Sequence, residues 1–393
     1  MHQFLIEWVG RSAWIFIYAT AAIAPGISAA PIIPPPPAVA ASSYLLIDAK
    51  SQKVLVENNA TERVPPASLT KIMTAYILEE EINSGRLKAE ETAPISVKAW
   101  RTGGSKMFIR EGTEVAVGDL LKGIIIQSGN DASVAVAEHI AGSEDAFAEM
   151  MNQQAKALGL DNTNFTNATG LPSDNHYSTA EDLALLTIAL IQNHPEQYQL
   201  YSERSYKFNG IDQPNRNKLL WRDRSVDGVK TGYTSAAGYC LIASAERNGV
   251  RLVSVVLGTD SDEARMRESQ KLLSYGFRNF DTQTLYQAGV NLQLQDVYFG
   301  QADKVELGVP EDITVTFPRG YYEDIKVEMT LSEYLEAPIA AGQEVGEIQL
   351  ILDGEVLHKA PLQTLQAVEE SNFFSRMGDS IYLFYASIFS DDG

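Results

Sequence analysis

A serine and a lysine three positions apart follow two prolines in the stretch VPPASLTKIMTAYIL, residues 64–78. Residues three apart on a helix share a face, so Ser68 and Lys71 would set a hydroxyl beside an amine. Pro65 and Pro66 stop any helix from running through, which predicts a helix starting at Ser68. The serine there is either an N-cap or an activated nucleophile. In the second reading its oxygen meets the positive helix end, and burial favours a neutral Lys71 amine able to take its proton. The spacing alone decides little, because a chain of this length holds roughly one or two such pairs by chance.

Two further triplets could do chemistry. Ser128-Gly129-Asn130, in IIIQSGNDAS, sits between two helical patterns, where Asn130 or Asp131 could cap a helix. The same loop could instead offer a hydroxyl to relay a proton and an amide to hold a peptide carbonyl. Lys230-Thr231-Gly232, in VDGVKTGYT, reads as the beginning of a strand. A lysine and a threonine there could receive a carboxylate, and Gly232 would leave room for a ligand along that edge. The ordinary alternative is a charged edge strand that discourages aggregation.

A folded frame must position these residues. SYLLIDAKSQKVLVEN alternates two β-like runs around a polar turn and reads as a hairpin. Helical patterns follow from Ser68 to about Ile191: the run from Ser68 to Glu81, then EVAVGDLLKGIII, DASVAVAEHIAG and STAEDLALLTIALI. In the last of these, Ser178 and Glu181 have capping-box spacing. From Val226 the texture turns to strands. GYCLIASAE and VRLVSVVLGT are predicted to pair antiparallel through a turn near Asn248-Gly249, and EARMRESQKLLSYGFRNF closes the region as a helix. Beyond Thr282, DKVELGV, DITVTF, DIKVEMTL and GEIQLILDGEVL recur at strand-and-turn spacing, with a hairpin signal at Asp353-Gly354. The predicted fold class is therefore α/β (α+β), an antiparallel sheet flanked by helices, followed by a small all-β domain. The expected division is a leader over 1–41, a catalytic domain over 42–281, the β domain over 282–370 and a terminal helix over 371–393.

Charge and composition narrow the function. The 393 residues carry a net charge of −20, which argues against nucleic-acid binding. The single cysteine, Cys240, excludes an internal disulfide framework and lies in an apolar run, as a buried strand thiol would. With five histidines and no Cys/His cluster, neither a metal nor another cofactor is expected. The first 41 residues offer an apolar stretch of signal-peptide length led by Arg11, with cleavage after Ala30 or after Ala40. Pro25 interrupts that run too early for a membrane span, so an exported precursor is expected.

The order and wide separation of the three motifs match the pattern of penicillin-binding proteins and class A β-lactamases. The chain resembles the low-molecular-weight penicillin-binding proteins, the serine-type D-alanyl-D-alanine carboxypeptidases of bacterial cell walls. The resemblance runs from about Ser42 to the C-terminus and includes PPASLTKIMTAY, QSGNDASVAVAE, HYSTAEDLALL, VDGVKTGYT and RESQKLLSYGFR. It implies that Ser68 is acylated by the penultimate D-alanine of a peptidoglycan stem peptide, with Lys71 as general base. Ser128 would relay a proton toward the leaving amine, Asn130 would position the substrate amide, and Lys230 and Thr231 would bind the terminal carboxylate. The oxyanion donors would be the backbone N–H groups of Ser68 and Tyr233. Arg265 would face the same carboxylate, with Arg267 two positions away as the competing assignment. β-Lactam antibiotics are the implied covalent inhibitors. Tyr233 stands where relatives often have histidine, a departure that bears on the pH profile and on acyl-enzyme turnover.

Rival readings share the fold. A class A β-lactamase needs a separate glutamate for the deacylating water, and Glu181 is the only acid in the comparable stretch to consider. A transpeptidase differs only in its acceptor. A catalytically dead wall-binding protein would not need Ser68, Lys71, Ser128 and Lys230 together.

The tail FFSRMGDSIYLFYASIF, residues 373–389, places Phe373, Phe374, Met377, Ile381, Phe384, Tyr385 and Ile388 within one helical arc of about 120°. Ser375, Arg376, Asp379, Ser387 and Ser390 fall opposite, Leu383 breaks the pattern, and Arg376 is expected to face Asp379, Asp391 and Asp392. The segment is too short and too polar on one face to span a bilayer. In relatives such a tail is an amphipathic anchor, which implies peripheral attachment to the outer face of the inner membrane of a periplasmic enzyme. The alternative is a helix packed on the β domain.

Overall fold

The computed structural model of the chain describes residues 33–332 and 334–389. The expected leader lies outside the described residues up to position 32. From Pro34 to Ala40 the chain is bound to the body of the protein. Tyr275 Oη donates to Pro34 O at 2.9 Å, Lys271 Nζ to Ala38 O at 3.2 Å, and the Ala40 N–H to the buried Glu268 carboxylate at 3.2 Å.

Five antiparallel strands organise the first part: β1 (Ser43–Asp48), β2 (Val54–Asn58), β3 (Val226–Thr234), β4 (Gly238–Arg247) and β5 (Val250–Thr259). Their order is β2-β1-β5-β4-β3, so β3 is an edge. The β1–β2 hairpin and the β4–β5 pairing are those the sequence predicts. Asn248 and Gly249 form the two-residue turn with φ of +52° and +79°, the left-handed pair that follows the twist of the flanking strands.

The helices that matter here are α1 (Lys71–Asn83), α2 (Asn130–Ala141), α3 (Ala180–Asn193) and α4 (Asp262–Asn279). They explain why β4 and β5 read as nearly continuous apolar runs rather than alternating ones. Leu241, Leu252 and Val256 face Met266, Leu272 and Phe277 of α4 on one side. Ile242, Val253 and Val255 join the core of α1, α2 and α3 on the other. Helix α1 is buried without a break from Lys71 to Glu79, as expected of a central helix. Cys240 is buried on β4, and burial pushes its thiol up to about 11, which makes it inert.

Three local expectations need correction. A 3-10 turn, Ala67–Thr70, precedes α1, and Ser68 caps nothing. The Leu69 N–H already bonds Pro66 O at 3.1 Å, so the backbone closes the turn and leaves the Ser68 hydroxyl to the cleft. In EVAVGDLLKGIII, Glu114–Ala116 is a strand paired with Thr92–Pro94, the helix spans only Val117–Lys122, and a π turn occupies Gly123–Gln127. The capping box of Ser178 and Glu181 is also displaced. Thr179 caps α3 by accepting from the Asp182 N–H at 3.0 Å, while the Ser178 hydroxyl pairs with Thr163.

Beyond α4 the chain is β-rich. Phe280–Tyr286 pairs with Ile313–Pro318, and a six-stranded sheet is built around the long hairpin of Glu344–Leu352 and Glu355–Thr364. Asp353 and Gly354 turn that hairpin at φ of +49° and +85°. Thr282 and Ser51 tie this part to the first by bonding Asp48 and Thr316.

The terminal helix α5 (Phe373–Phe389) touches the β sheet through its polar side. The Asp379 carboxylate accepts from the Phe299 N–H at 2.7 Å, and Tyr382 stacks on Tyr298. Phe373, Phe374, Met377 and Ile381, the described members of the apolar arc, are exposed, the first two at 75% and 78%. Arg376 pairs with Glu370 at 2.7 Å rather than with Asp379, which is occupied elsewhere. Ser390, Asp391 and Asp392, and the side chains of Phe384, Tyr385, Ser387 and Ile388, lie outside the described residues. No described helix is long and apolar enough to cross a membrane.

Candidate active site

Lys230-Thr231-Gly232 lies inside the edge strand β3, not at its start. A Cβ on Gly232 would come within 3.2 Å of Pro66 O and of the Leu69 side chain. The glycine thus lets β3 close on the turn that carries Ser68, a packing role beside the ligand clearance expected from sequence.

Strained backbone flanks the chemistry. Ala67 (φ +49°) and Ser128 (φ +64°) are both left-handed, a conformation that costs an L-residue about 1–2 kcal/mol. Ser128 follows the π turn, which leaves it between Gln127 and the start of α2 with its hydroxyl aimed at β3. Asn130 is held by its own backbone N–H on Ser105 O, at 2.7 Å, and by Nδ2 on Gly103 O, at 2.6 Å. Its Oδ1 is buried and has no partner among the described residues, an acceptor left for something else.

These elements bring two lysines to two serines. Lys71 Nζ lies 3.1 Å from Ser68 Oγ and donates to Thr169 O at 2.5 Å. Burial lowers its ammonium from 10.5 to about 7, against the opposing pull of the Asp131 carboxylate. Lys230 Nζ donates to Ser128 Oγ at 2.8 Å, and burial, with Lys71, Arg265 and Arg216 nearby, holds its pKa well below the ordinary lysine value. Each serine therefore has a buried amine as its neighbour.

A cleft of about 860 Å³ opens over this group, lined by Ser68, Ser128, Thr231, Gly232, Tyr233 and Arg265 among others. Arg265 projects from the first turn of α4, donates to the carbonyls of Gly232 and Cys240 at 3.0 and 3.3 Å, and pairs with Asp262. Arg267 is half exposed and paired with Glu268 at 2.8 Å, and does not line the cleft. Tyr233 is 54% exposed with its ring against Tyr239, so its side chain is on the rim. Glu181 does not line the cleft, and its backbone N–H bonds Ala60 O.

Two contributors escaped the sequence reading. Asp131 caps no helix. Its carboxylate accepts from the backbone N–H groups of Met107, Phe108, Ile109 and Ala132, fixing the loop that runs under Asn130. An acid directly after a candidate cap residue was the available signal. Thr169 contributes only a carbonyl, which no residue type announces.

Comparisons with known proteins identify the family. The family described as D-alanyl-D-alanine carboxypeptidase matches residues 30–261, and penicillin-binding protein 5, C-terminal domain, matches residues 280–370. The D-alanyl-D-alanine carboxypeptidase DacC of Escherichia coli (strain K12) is 43% identical over 381 residues, 95% of this chain and 94% of that protein. Penicillin binding protein 5 from Haemophilus influenzae superimposes with a TM-score of 0.83 at 43% identity, over 86% of this chain and 99% of that one. Penicillin-binding protein D2 from Listeria monocytogenes, solved in an ampicillin-bound form, gives 0.58 at 33% identity, over 62% of this chain and 100% of that one. The chain belongs to the serine-type D-alanyl-D-alanine carboxypeptidase family of penicillin-binding proteins.

Proposed function

We propose that the enzyme removes the terminal D-alanine from peptidoglycan stem peptides ending in D-alanyl-D-alanine, through an acyl-enzyme on Ser68. The observation that carries the reading is Lys71, a buried amine with a pKa near 7 lying 3.1 Å from Ser68 Oγ. A neutral Lys71 takes the serine proton as Oγ attacks the penultimate carbonyl. The Ser68 and Tyr233 N–H groups receive the oxyanion. Ser128, bonded to Lys230, passes a proton to the departing amine, and the acyl-enzyme is then opened by water. Asn130 Oδ1 accepts the substrate amide N–H, and Lys230, Thr231 and Arg265 receive the terminal carboxylate in the cleft. β-Lactams acylate the same serine. Mass analysis of a pentapeptide digest tests the reaction: free D-alanine and the tetrapeptide support it, whereas a product joined to an added amine acceptor makes the enzyme a transpeptidase.

Carboxylate recognition can be separated from chemistry. Arg265→Ala should lower kcat/KM on a free-carboxylate substrate about tenfold or more, as loss of a charged contact does, while sparing the C-terminal amide. Equal, unchanged activity on both substrates reduces Arg265 to tying β3 to β4.

The division into a leader, a catalytic part to residue 281, a β domain to 370 and a terminal anchor is carried by the composition of each segment. An exported, periplasmic enzyme is proposed, and cleavage after Ala30 keeps the contacts of residues 34–40 with α4, whereas cleavage after Ala40 discards them. Helix α5 is proposed to rest on the outer face of the inner membrane through Phe373, Phe374, Met377 and Ile381, all exposed. Deleting residues 371–393 should abolish sedimentation with lipid vesicles and leave activity unchanged, with little effect of salt on the binding of the full chain. A truncated chain that unfolds assigns the helix to the β domain.

A further inference from the structure

We propose that His176 is a positioning residue that latches the segment 166–176 onto the nucleophile turn and thereby holds the Thr169 carbonyl against Lys71. The inference rests on the reading of Lys71 as the general base.

The geometry fixes the state of the ring. His176 Nδ1 lies 3.1 Å from the Thr166 backbone N, which can only donate, so Nδ1 presents its lone pair. Nε2 therefore carries the hydrogen of the neutral ring and donates to Thr70 Oγ1 at 2.8 Å. A second proton would set two donors against each other at Nδ1, in a buried site that already faces Lys71. Burial and that lysine lower the ring to about 4, so it is neutral throughout the working range. Lys71 is the charged group facing the ring from α1, and Asp174 shares the adjoining small cavity.

The latch joins two segments that meet at the amine. Thr70 immediately precedes Lys71. On the other side, the Asn167 carboxamide oxygen accepts from Thr169 and Gly170 N–H groups, and Ala168 O accepts from Thr74 Oγ1 at 2.7 Å. Gly170 presses on the turn so closely that a Cβ would lie 1.8 Å from Ala67 O. The outcome is one Lys71 hydrogen committed to Thr169 O, which leaves the lone pair of the neutral amine for Ser68. It also keeps water from the amine, and that exclusion is what depresses its basicity.

The test is the pH profile of acylation by penicillin, measured as the second-order rate. The wild-type rate should rise through a limb near pH 7 as Lys71 loses its proton. In His176→Ala the loosened segment should admit water, moving the limb upward by about one unit and slowing acylation about fivefold at pH 7 and about tenfold well below it. Thr70→Val, which removes the acceptor and keeps the volume, should shift the limb the same way. His176→Gln should restore it, because a carboxamide accepts at one end and donates at the other across the same span. A limb that stays in place in both His176→Ala and Thr70→Val overturns the proposal, as does a His176→Gln profile equal to that of His176→Ala. A fold that is merely weakened lowers the amount of active enzyme without moving the limb. If the wild type itself lacks a limb near pH 7, the assignment of Lys71 fails first, and the two failures are thereby distinguished.

Discussion

Ser68→Ala is expected to cut D-alanine release by roughly a factor of 10⁴ or more, the scale on which nucleophile deletions act, and to abolish the penicillin adduct. The fold should survive, because Ser68 caps no helix and the Leu69 N–H is satisfied by Pro66 O without it. What disappears is the oxygen that, among the described residues, is both bonded to the depressed amine of Lys71 and open on the cleft. Ser128 cannot take its place. Its hydroxyl is engaged by Lys230, and its left-handed backbone fixes it on the far wall. Intact-mass measurement after penicillin treatment, followed by peptide mapping, reads the result. An adduct on any residue other than Ser68 in the wild type sinks the assignment, and Ser68→Ala with substantial turnover does the same. Penicillin should still bind reversibly to the variant, since Lys230, Thr231 and the edge of β3 are untouched.

The frame of this site was legible where chemistry and backbone agree locally. Asn-Gly and Asp-Gly pairs at 248–249 and 353–354 announced their hairpins because few other residues accept two consecutive left-handed conformations. The order of the Ser68, Ser128 and Lys230 motifs pointed to a shared cleft, and the structure lines one cleft with Ser68, Ser128 and Thr231 and bonds Lys230 to Ser128. Legibility failed where a tertiary contact decides. The Ser68 segment resembles a capped helix start, yet the nearby β3 edge and Gly170 compress it into a 3-10 turn. Glu114–Ala116 continues a helical pattern and still pairs as a strand, because Thr92–Pro94 lies beside it. The tight contact of Gly232 with Pro66 and Leu69 had no signature in its own motif. The Thr169 carbonyl had no signature at all, since every residue carries the same backbone acceptor. Asp131 shows the same limit from the other direction: its type suggested a cap, but three loop N–H groups outbid the helix end.

Replacing Lys71 is the other change expected to have a large effect, and it separates two consequences of burying an amine. Lys71→Met keeps the length and removes the base, so acylation by penicillin should fall by about 10²–10⁴, the usual worth of a positioned general base. Lys71→Arg should fail as well, because a guanidinium keeps its proton and offers no lone pair to Ser68. The stability consequence has a definite sign. In the unfolded chain the amine titrates near 10.5, and in the fold near 7, so between those values the unfolded state binds more protons. Wild-type stability should therefore rise as the pH climbs from about 7 toward 10, and the Lys71 contribution should level off below about 7, where both states hold the proton. Lys230, depressed in the same direction, adds to that slope. Lys71→Met removes the first contribution and leaves the second, so its stability should vary less steeply with pH over this window. It also leaves Thr169 O without its donor, a loss of about 1–3 kcal/mol that is independent of pH. Urea unfolding at several pH values, beside stopped-flow acylation, measures both. A Lys71→Met enzyme that still acylates within tenfold of wild type would show that the proton of Ser68 leaves by another route. An unchanged pH slope would instead mean that the amine is charged in the fold, its burial offset by the Asp131 carboxylate.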